Sequence, residues 1–369
     1  MMKEDNFGTK EAVSLATLAI ITKVFYTSPF VIVNSLGTAA WYGTLVSCIV
    51  SLLVFLLLYQ LMKRFPGDDL QAVFMKVLGK VLGRIVTVLF SVYLLYYAGM
   101  NLREFLEIIK AYILPYTPPS YIMITFLSVV ALFAFLGLEV LARFSYLGLW
   151  IVLITMGLLL TFGSTYYNAN YIKPYLGYGI DKTIIYGVLR SAAYQEFILL
   201  AFIMGSLQGL KNFKRAGIGS ILLSGGVISI SLLLYLMMFQ YTVGSENLSG
   251  LFQISRSIYL SRFFQRVEAI FLFIWVISSV VTVAIAFYIS ISIYCKALNI
   301  GDHRPLILPF SFLTFLVAFF PKNLTETVEF HMLFIRQYSS FVVYGIPVLV
   351  LVLSLILGRK RVESRNEKV

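Results

Sequence analysis

Charge is scarce in this sequence: Asp, Glu, Lys and Arg make up 12% of its 369 residues, against about 25% in soluble globular domains. So few charges cannot cover a folded surface that faces water, which excludes an ordinary soluble domain. Cysteine and histidine are scarcer still, at two each. Cys48 falls within one apolar run and Cys295 at the end of another, with no paired spacing and no histidine nearby, so neither a disulfide framework nor a zinc site is expected. His303 and His331 fall in different predicted loops, on opposite sides of the membrane in the topology below, and read as ordinary polar loop residues. The sequence has no G-x-S-x-G elbow, no H-E-x-x-H, no Gly-rich phosphate loop and no His/carboxylate cluster within a span. No enzyme, cofactor or metal is therefore expected.

What is abundant is apolar sequence. Hydrophobic residues make up 60% of the chain and the mean hydropathy is +0.89. Apolar runs of about 18 residues or more recur along almost the whole length, each long enough to cross a hydrocarbon core of about 30 Å. The reading is an all-α polytopic membrane protein, a single membrane-embedded domain over residues 1–369. About ten spans are predicted, at roughly 11–36, 39–62, 85–114, 120–138, 144–164, 184–209, 215–243, 267–295, 305–320 and 339–358.

The net charge of +12 would suit a nucleic-acid partner only if the basic residues shared one folded face. They fall instead in short loops and in the tail, so no nucleic acid is expected. Of the 29 Lys and Arg residues, eighteen fall on one predicted side: Lys3, Lys10, Lys63, Arg64, Lys76, Lys80, Arg84, Arg143, Lys211, Lys214, Arg215, Lys296, Arg304, Arg359, Lys360, Arg361, Arg365 and Lys368. Seven fall on the other, namely Lys173, Lys182, Arg256, Arg262, Arg266, Lys322 and Arg336, and four, Lys23, Arg103, Lys110 and Arg190, lie within spans. The positive-inside rule then puts both termini in the cytoplasm. No A-x-A-like cleavage site follows the first apolar run, which is expected to be retained.

Between the second and third spans, Phe65-Pro66-Gly67-Asp68-Asp69 gives a turn and a helix start, followed by Leu70, Val73, Phe74 and Val77 at helical spacing. A short interfacial helix is expected there, and a similar one within 245–265. In the first span, Tyr26-Thr27-Ser28-Pro29 interrupts the apolar run. Proline removes a backbone donor, and the carbonyls it frees at membrane depth must meet protein, water or a ligand. Both a proline kink and a transporter-type break fit this stretch.

Ionisable residues within spans demand partners. Arg103, Glu107 and Lys110 are spaced i, i+4 and i+7 on one stripe of the third span, beside Glu104, and are expected to neutralise one another as a structural ladder; a proton relay is the alternative. Glu139 and Arg143 form a further i, i+4 pair. Lys23 lies roughly 18 Å along its helix from Glu11, near the bilayer midplane. Glu196 lies at similar depth in the sixth span, in the small and polar stretch Ser191-Ala192-Ala193-Tyr194-Gln195 that leads to it. An ion pair between the two is expected, with a lysine serving only folding as the alternative.

Over nearly its full length the chain resembles the B subunits of bacterial spore germinant receptors, the GerAB-like permease family of the amino acid, polyamine and organocation superfamily. The resemblance rests on the ordered series formed by the Pro29 break, Phe65-Pro66-Gly67, Arg103-Glu104-Phe105 leading to Leu114-Pro115-Tyr116-Thr117-Pro118, Gly137-Leu138-Glu139 with Arg143, and Arg266-Val267-Glu268 leading to Trp275. It implies two inverted five-helix repeats of the kind shared by amino-acid permeases, with broken helices 1 and 6. It also implies a receptor in the spore inner membrane, assembled with an A subunit and a lipoprotein C subunit, whose ligand is a small germinant such as an amino acid. A proton-coupled amino-acid transporter of the same superfamily is the alternative.

Carried onto this sequence, the ligand site comprises Tyr26, Thr27 and Ser28 of the first helix and Ala193, Tyr194 and Glu196 of the sixth. Tyr97 of the third and Ser278 and Thr282 of the eighth join them. Many such permeases place glycines before the proline of the first helix, where bare amides meet the ligand carboxylate. This chain has Thr22, Lys23 and Val24 there, so Lys23 is expected to take over carboxylate recognition, with Glu196 keeping it charged.

Overall fold

The computed structural model describes residues 6–259 and 267–358. The basic residues Lys3, Arg262, Arg266, Arg359, Lys360, Arg361, Arg365 and Lys368, and the far end of the 245–265 stretch, lie outside the described residues. Among the described residues every regular element is helical.

The chain begins with α1 (Thr9–Ile21), a tight turn at Thr22–Val24 and α2 (Ser28–Leu36). Then come α3 (Ala40–Arg64), α4 (Leu70–Leu78), α5 (Lys80–Tyr112), α6 (Pro119–Leu136) and α7 (Leu138–Phe162). Gly79 and Gly137, at φ 89° and 99°, let one helix follow another through a single residue, a conformation that side chains with a Cβ disfavour. The second half holds α8 (Ile180–Leu189), α9 (Leu199–Phe202), α10 (Leu210–Met238), α11 (Tyr241–Gly244), α12 (Gly250–Ser257), α13 (Val267–Leu298) and α14 (Arg304–Phe319). It closes with α15 (Leu324–Glu326), α16 (Ser340–Val343) and α17 (Gly345–Ile356).

Among the described residues eight helical stretches are long and apolar enough to cross a membrane, and the protein is an integral membrane protein. Two of the ten expected spans do not meet that length on their own. The first is cut into α1 and α2, of 13 and nine residues, and α14 has 16. Lipid-facing surfaces are apolar, with Leu308 of α14 and Leu147 of α7 80% and 65% exposed, as expected where the solvent is hydrocarbon.

Two expectations change in the structure. The short helix after the second span forms as α4, but Leu70, Val73, Phe74 and Val77 are all buried, against α5 and other protein rather than lipid. Phe74 meets Phe90 and Phe202 at ring distances of 5.6 and 6.3 Å. The last span, expected at 339–358, runs as one helical stretch over Leu324–Ile356. Its first half is wound as π-helix at Thr327–Met332 and Phe334–Tyr338. Glu326, Glu329, His331, Arg336 and Gln337 dilute the hydropathy there, so the segment reads as a loop, whereas His331 and Arg336 are both 3% exposed inside the protein.

α13 packs along α5, α1 lies against α10, α7 and α13, and the segment following α8 packs on α3 and on the π-helical stretch. The interior lined by α1, α5, α13, residues 190–198 and the π-helical stretch is where the buried charges gather.

Candidate functional site

Two interruptions position the site. In the first helix, α1 gives way at Thr22 to a tight turn, whose carbonyls at Thr22 and Lys23 accept from Phe25 and Tyr26 at 3.0 and 3.2 Å. Helix then resumes at Ser28, with Pro29 in the first turn of α2, where its missing N–H costs nothing. In the sixth span α8 stops at Leu189, and Arg190–Ile198 continues as nine residues of 3₁₀-helix. That winding is too long for its usual role as an end piece. The small residues Ala192 and Ala193 leave room for the lysine of the first helix to reach in.

The Lys23 Nζ lies 2.8 and 3.1 Å from the two carboxylate oxygens of Glu196, and it also donates to the Ala193 carbonyl. Tyr97 of α5 donates to Glu196 Oε1 at 2.5 Å. Lys23 and Glu196 are 7% and 2% exposed, so this is a buried, fully hydrogen-bonded ion pair, the arrangement that lets opposite charges persist away from water. Next to it Glu104 of α5, 0% exposed, accepts from the Thr27 amide at 3.2 Å and from the Thr27 hydroxyl, and Arg336 NH2 meets its other oxygen at 2.6 Å. A third buried group, Arg190, donates to Ser28 Oγ at 2.5 Å.

Between these groups lies a polar cavity lined by Lys23, Tyr97, Asn101, Gln195, Glu196 and Arg336, with Ala19, Met332 and Ile335 closing it. Its free volume is about 10 Å³, room for roughly one water. Gln195 ties the cavity to the last helix: its amide nitrogen donates to the Ile335 carbonyl at 3.2 Å, and its oxygen accepts from Tyr93 at 2.5 Å. Nothing larger than roughly one water fits the cavity in this conformation, which is therefore occluded. Among the described residues no group of three or more His, Cys, Asp and Glu could hold a metal ion.

A family model described as spore germination protein matches residues 7–327. The chain belongs to that spore germination family. Curated relatives from Bacillus subtilis (strain 168) agree at low identity. Spore germination protein KB is 23% identical over 291 residues, 76% of this chain and 78% of its own length. Spore germination protein YndE is 23% identical over 340 residues, 88% of each chain. Spore germination protein A2 is 22% identical over 295 residues, 77% of this chain and 76% of its own.

In this germination-family member the sequence-derived residues divide into three groups. Lys23, Tyr97, Ala193 and Glu196 line the cavity, and the expected ion pair is present. Thr27 and Ser28 are held by the neighbouring Glu104 and Arg190 rather than facing the cavity. The rest serve the walls: Tyr26 stands edge-on to Trp275 at 6.1 Å, and Tyr194 turns away to donate to the Thr44 carbonyl at 3.3 Å. Thr282 donates to the Thr22 hydroxyl at 2.8 Å, and Thr22 donates to the Ser278 carbonyl at 3.0 Å, which fastens α13 beside the break.

The stripe on α5 is half as expected. Arg103 and Glu107 pair at 2.6 Å, but Lys110 leaves the ladder and donates to the Thr117 carbonyl at 3.2 Å. Glu139 and Arg143 pair at 2.6 Å on the surface. Sequence reasoning missed Glu104, Arg190 and Arg336 as members of the core cluster. Nothing in the sequence pairs Glu104 with Arg336, but Arg190 did stand out as one of four basic residues within spans.

Proposed function

We infer that this chain is the ligand-binding B subunit of a spore germinant receptor, recognising a small germinant such as an amino acid to trigger germination. The observation that carries this reading is the Lys23–Glu196 pair at the meeting of two interrupted helices, 2.8 Å apart and walled by the Tyr97 hydroxyl. An amino acid is a zwitterion. Its carboxylate can take the place of Glu196 at Lys23, and its ammonium the place of Lys23 at Glu196, so the empty site holds internally the charges that the ligand would bring. The desolvation already incurred by the pair lowers the cost of admitting a charged ligand. Occlusion around a one-water cavity suits a sensor in which binding is coupled to a change of shape. Family membership supports germination as the process served.

The same reading places the chain in the spore inner membrane with both termini in the cytoplasm, as two inverted five-helix repeats within one domain. It assembles there with an A subunit and a lipoprotein C subunit. A proton-coupled amino-acid transporter is the second reading, favoured by one observation: Glu196 is a buried carboxylate within reach of the cavity. A thermal-shift screen of amino acids on purified protein tests the first, because a specific ligand raises the melting temperature by mass action. If no amino acid stabilises the protein, the receptor reading fails. Uptake of a stabilising ligand into proteoliposomes under a proton gradient would favour the transporter.

A further inference from the structure

Four buried side chains among the described residues are permanent or potential cations other than histidine: Lys23, Arg103, Arg190 and Arg336. Three have a carboxylate in contact, Glu196 at 2.8 Å, Glu107 at 2.6 Å and Glu104 at 2.6 Å respectively. Arg190 has none among the described residues. Its NH2 donates to Ser28 Oγ at 2.5 Å, its NH1 to the Tyr186 hydroxyl at 3.3 Å, and its guanidinium carbon lies 5.8 Å from the centre of the Tyr186 ring. All these partners are neutral, and Arg190 is 3% exposed. Glu104 sits beside them at Thr27, but its oxygens are engaged by Thr27 and Arg336.

An arginine cannot shed its proton to escape this position, and an ion buried without a counter-ion is costly. Three facts then bear on one another. Among the described residues the core cluster holds three basic side chains, Lys23, Arg190 and Arg336, against two carboxylates, Glu104 and Glu196. The surplus sits where the sixth span leaves regular α-helix. Its hydrogen bond goes to Ser28, the first residue of α2, while the amide of the preceding Thr27 is already taken by Glu104.

We propose that Arg190, with Ser28 at the N-terminus of α2, neither of which lines the cavity in this conformation, is a carboxylate subsite that becomes accessible when ligand enters, and that the ligand is an acidic amino acid. Its zwitterionic head matches Lys23 and Glu196, and its second carboxylate supplies the charge that Arg190 lacks. This rests on reading the core as an amino-acid site and names the class of amino acid it takes. Neutral amino acids leave the surplus charge unmatched and bind more weakly.

The test uses the full chain purified in detergent, with L-glutamate, L-aspartate, L-glutamine, L-asparagine and L-alanine as probes and melting temperature as the readout. At least one acidic probe is expected to stabilise the protein, with its own amide needing about tenfold more for the same shift. Arg190→Gln removes that preference, and without ligand it melts at or above the temperature of the unaltered protein, because a surplus buried charge is gone. Ser28→Asp supplies a carboxylate from within, so it raises the melting temperature and weakens the acidic probe by about tenfold or more.

The proposal is overturned if an amide or alanine binds as well as the acidic probes. It is equally overturned if Arg190→Gln keeps the preference, or if that variant does not fold while Ser28→Asp still binds the acidic probe unchanged. Neutral probes binding with Arg190→Gln unaffected leave the receptor reading standing. No shift with any of the five probes sinks the acidic-ligand proposal, and the receptor reading falls with it only if the full amino-acid screen is also empty.

Discussion

Glu104 and Arg336, 232 positions apart in the chain, meet at 2.6 Å in the protein interior. The contact joins α5 to the π-helical half of the last span, and because Glu104 also holds both the amide and the hydroxyl of Thr27, it fastens the broken first helix as well. Three separate segments therefore converge on one carboxylate. Breaking a buried pair by removing one partner costs more than the pair contributes, since the survivor is left charged without a counter-ion.

Glu104→Gln is accordingly expected to destabilise the protein by about 3–5 kcal/mol, enough to cut folded yield sharply. Glu104→Gln combined with Arg336→Met removes both charges and should recover much of the loss. Size-exclusion profiles and melting temperatures of the single and double variants check this. Equal loss in the two would show that the carboxylate acts through Thr27 alone.

The Arg103–Glu107 pair should matter less. Glu107 is 21% exposed in its side chain, and Arg103 keeps a second contact at the Ala318 carbonyl, 3.2 Å away. Glu107→Gln is expected to cost about 1 kcal/mol, and Lys110→Met almost nothing, because that lysine stands apart from the pair. Melting temperatures that rank Lys110→Met as the more damaging would restore the three-member ladder.

Topology is open to labelling. Lys173 and Lys211 are both exposed, and the native thiols Cys48 and Cys295 are buried, which keeps the background low. A cysteine at Lys173 should react with an impermeant maleimide from outside intact cells, and one at Lys211 only after the membrane is opened. The reverse pattern would invert the proposed orientation.

Much of the architecture was legible because lipid imposes a strong rule. Spans must be long, apolar and helical, so composition alone located most of them. Lys23 and Glu196 were legible too, since each is an ionisable residue at similar depth beside an irregular stretch. Arg336 was hidden by its own function. The polar residues that let the last helix enter the charged core, from Glu326 to Gln337, lower its hydropathy until it resembles a loop. Glu104 was hidden differently. Adjacent residues on a helix point about 100° apart, so spacing that gathers Arg103 and Glu107 onto one stripe leaves Glu104 facing another helix, and the sequence does not say which.

The decisive measurement is the affinity, by calorimetry, of the amino acid that best stabilises the protein, compared between the unaltered chain and Lys23→Met, with Lys23→Met/Glu196→Gln as the charge-balanced control. Methionine keeps the apolar stem and removes the ammonium. A ligand carboxylate that pairs with Lys23 at membrane depth should lose about 2–3 kcal/mol, or 30- to 150-fold in affinity, in both variants. Folded variants that bind with unchanged affinity would contradict the account and leave Lys23 and Glu196 as a structural pair.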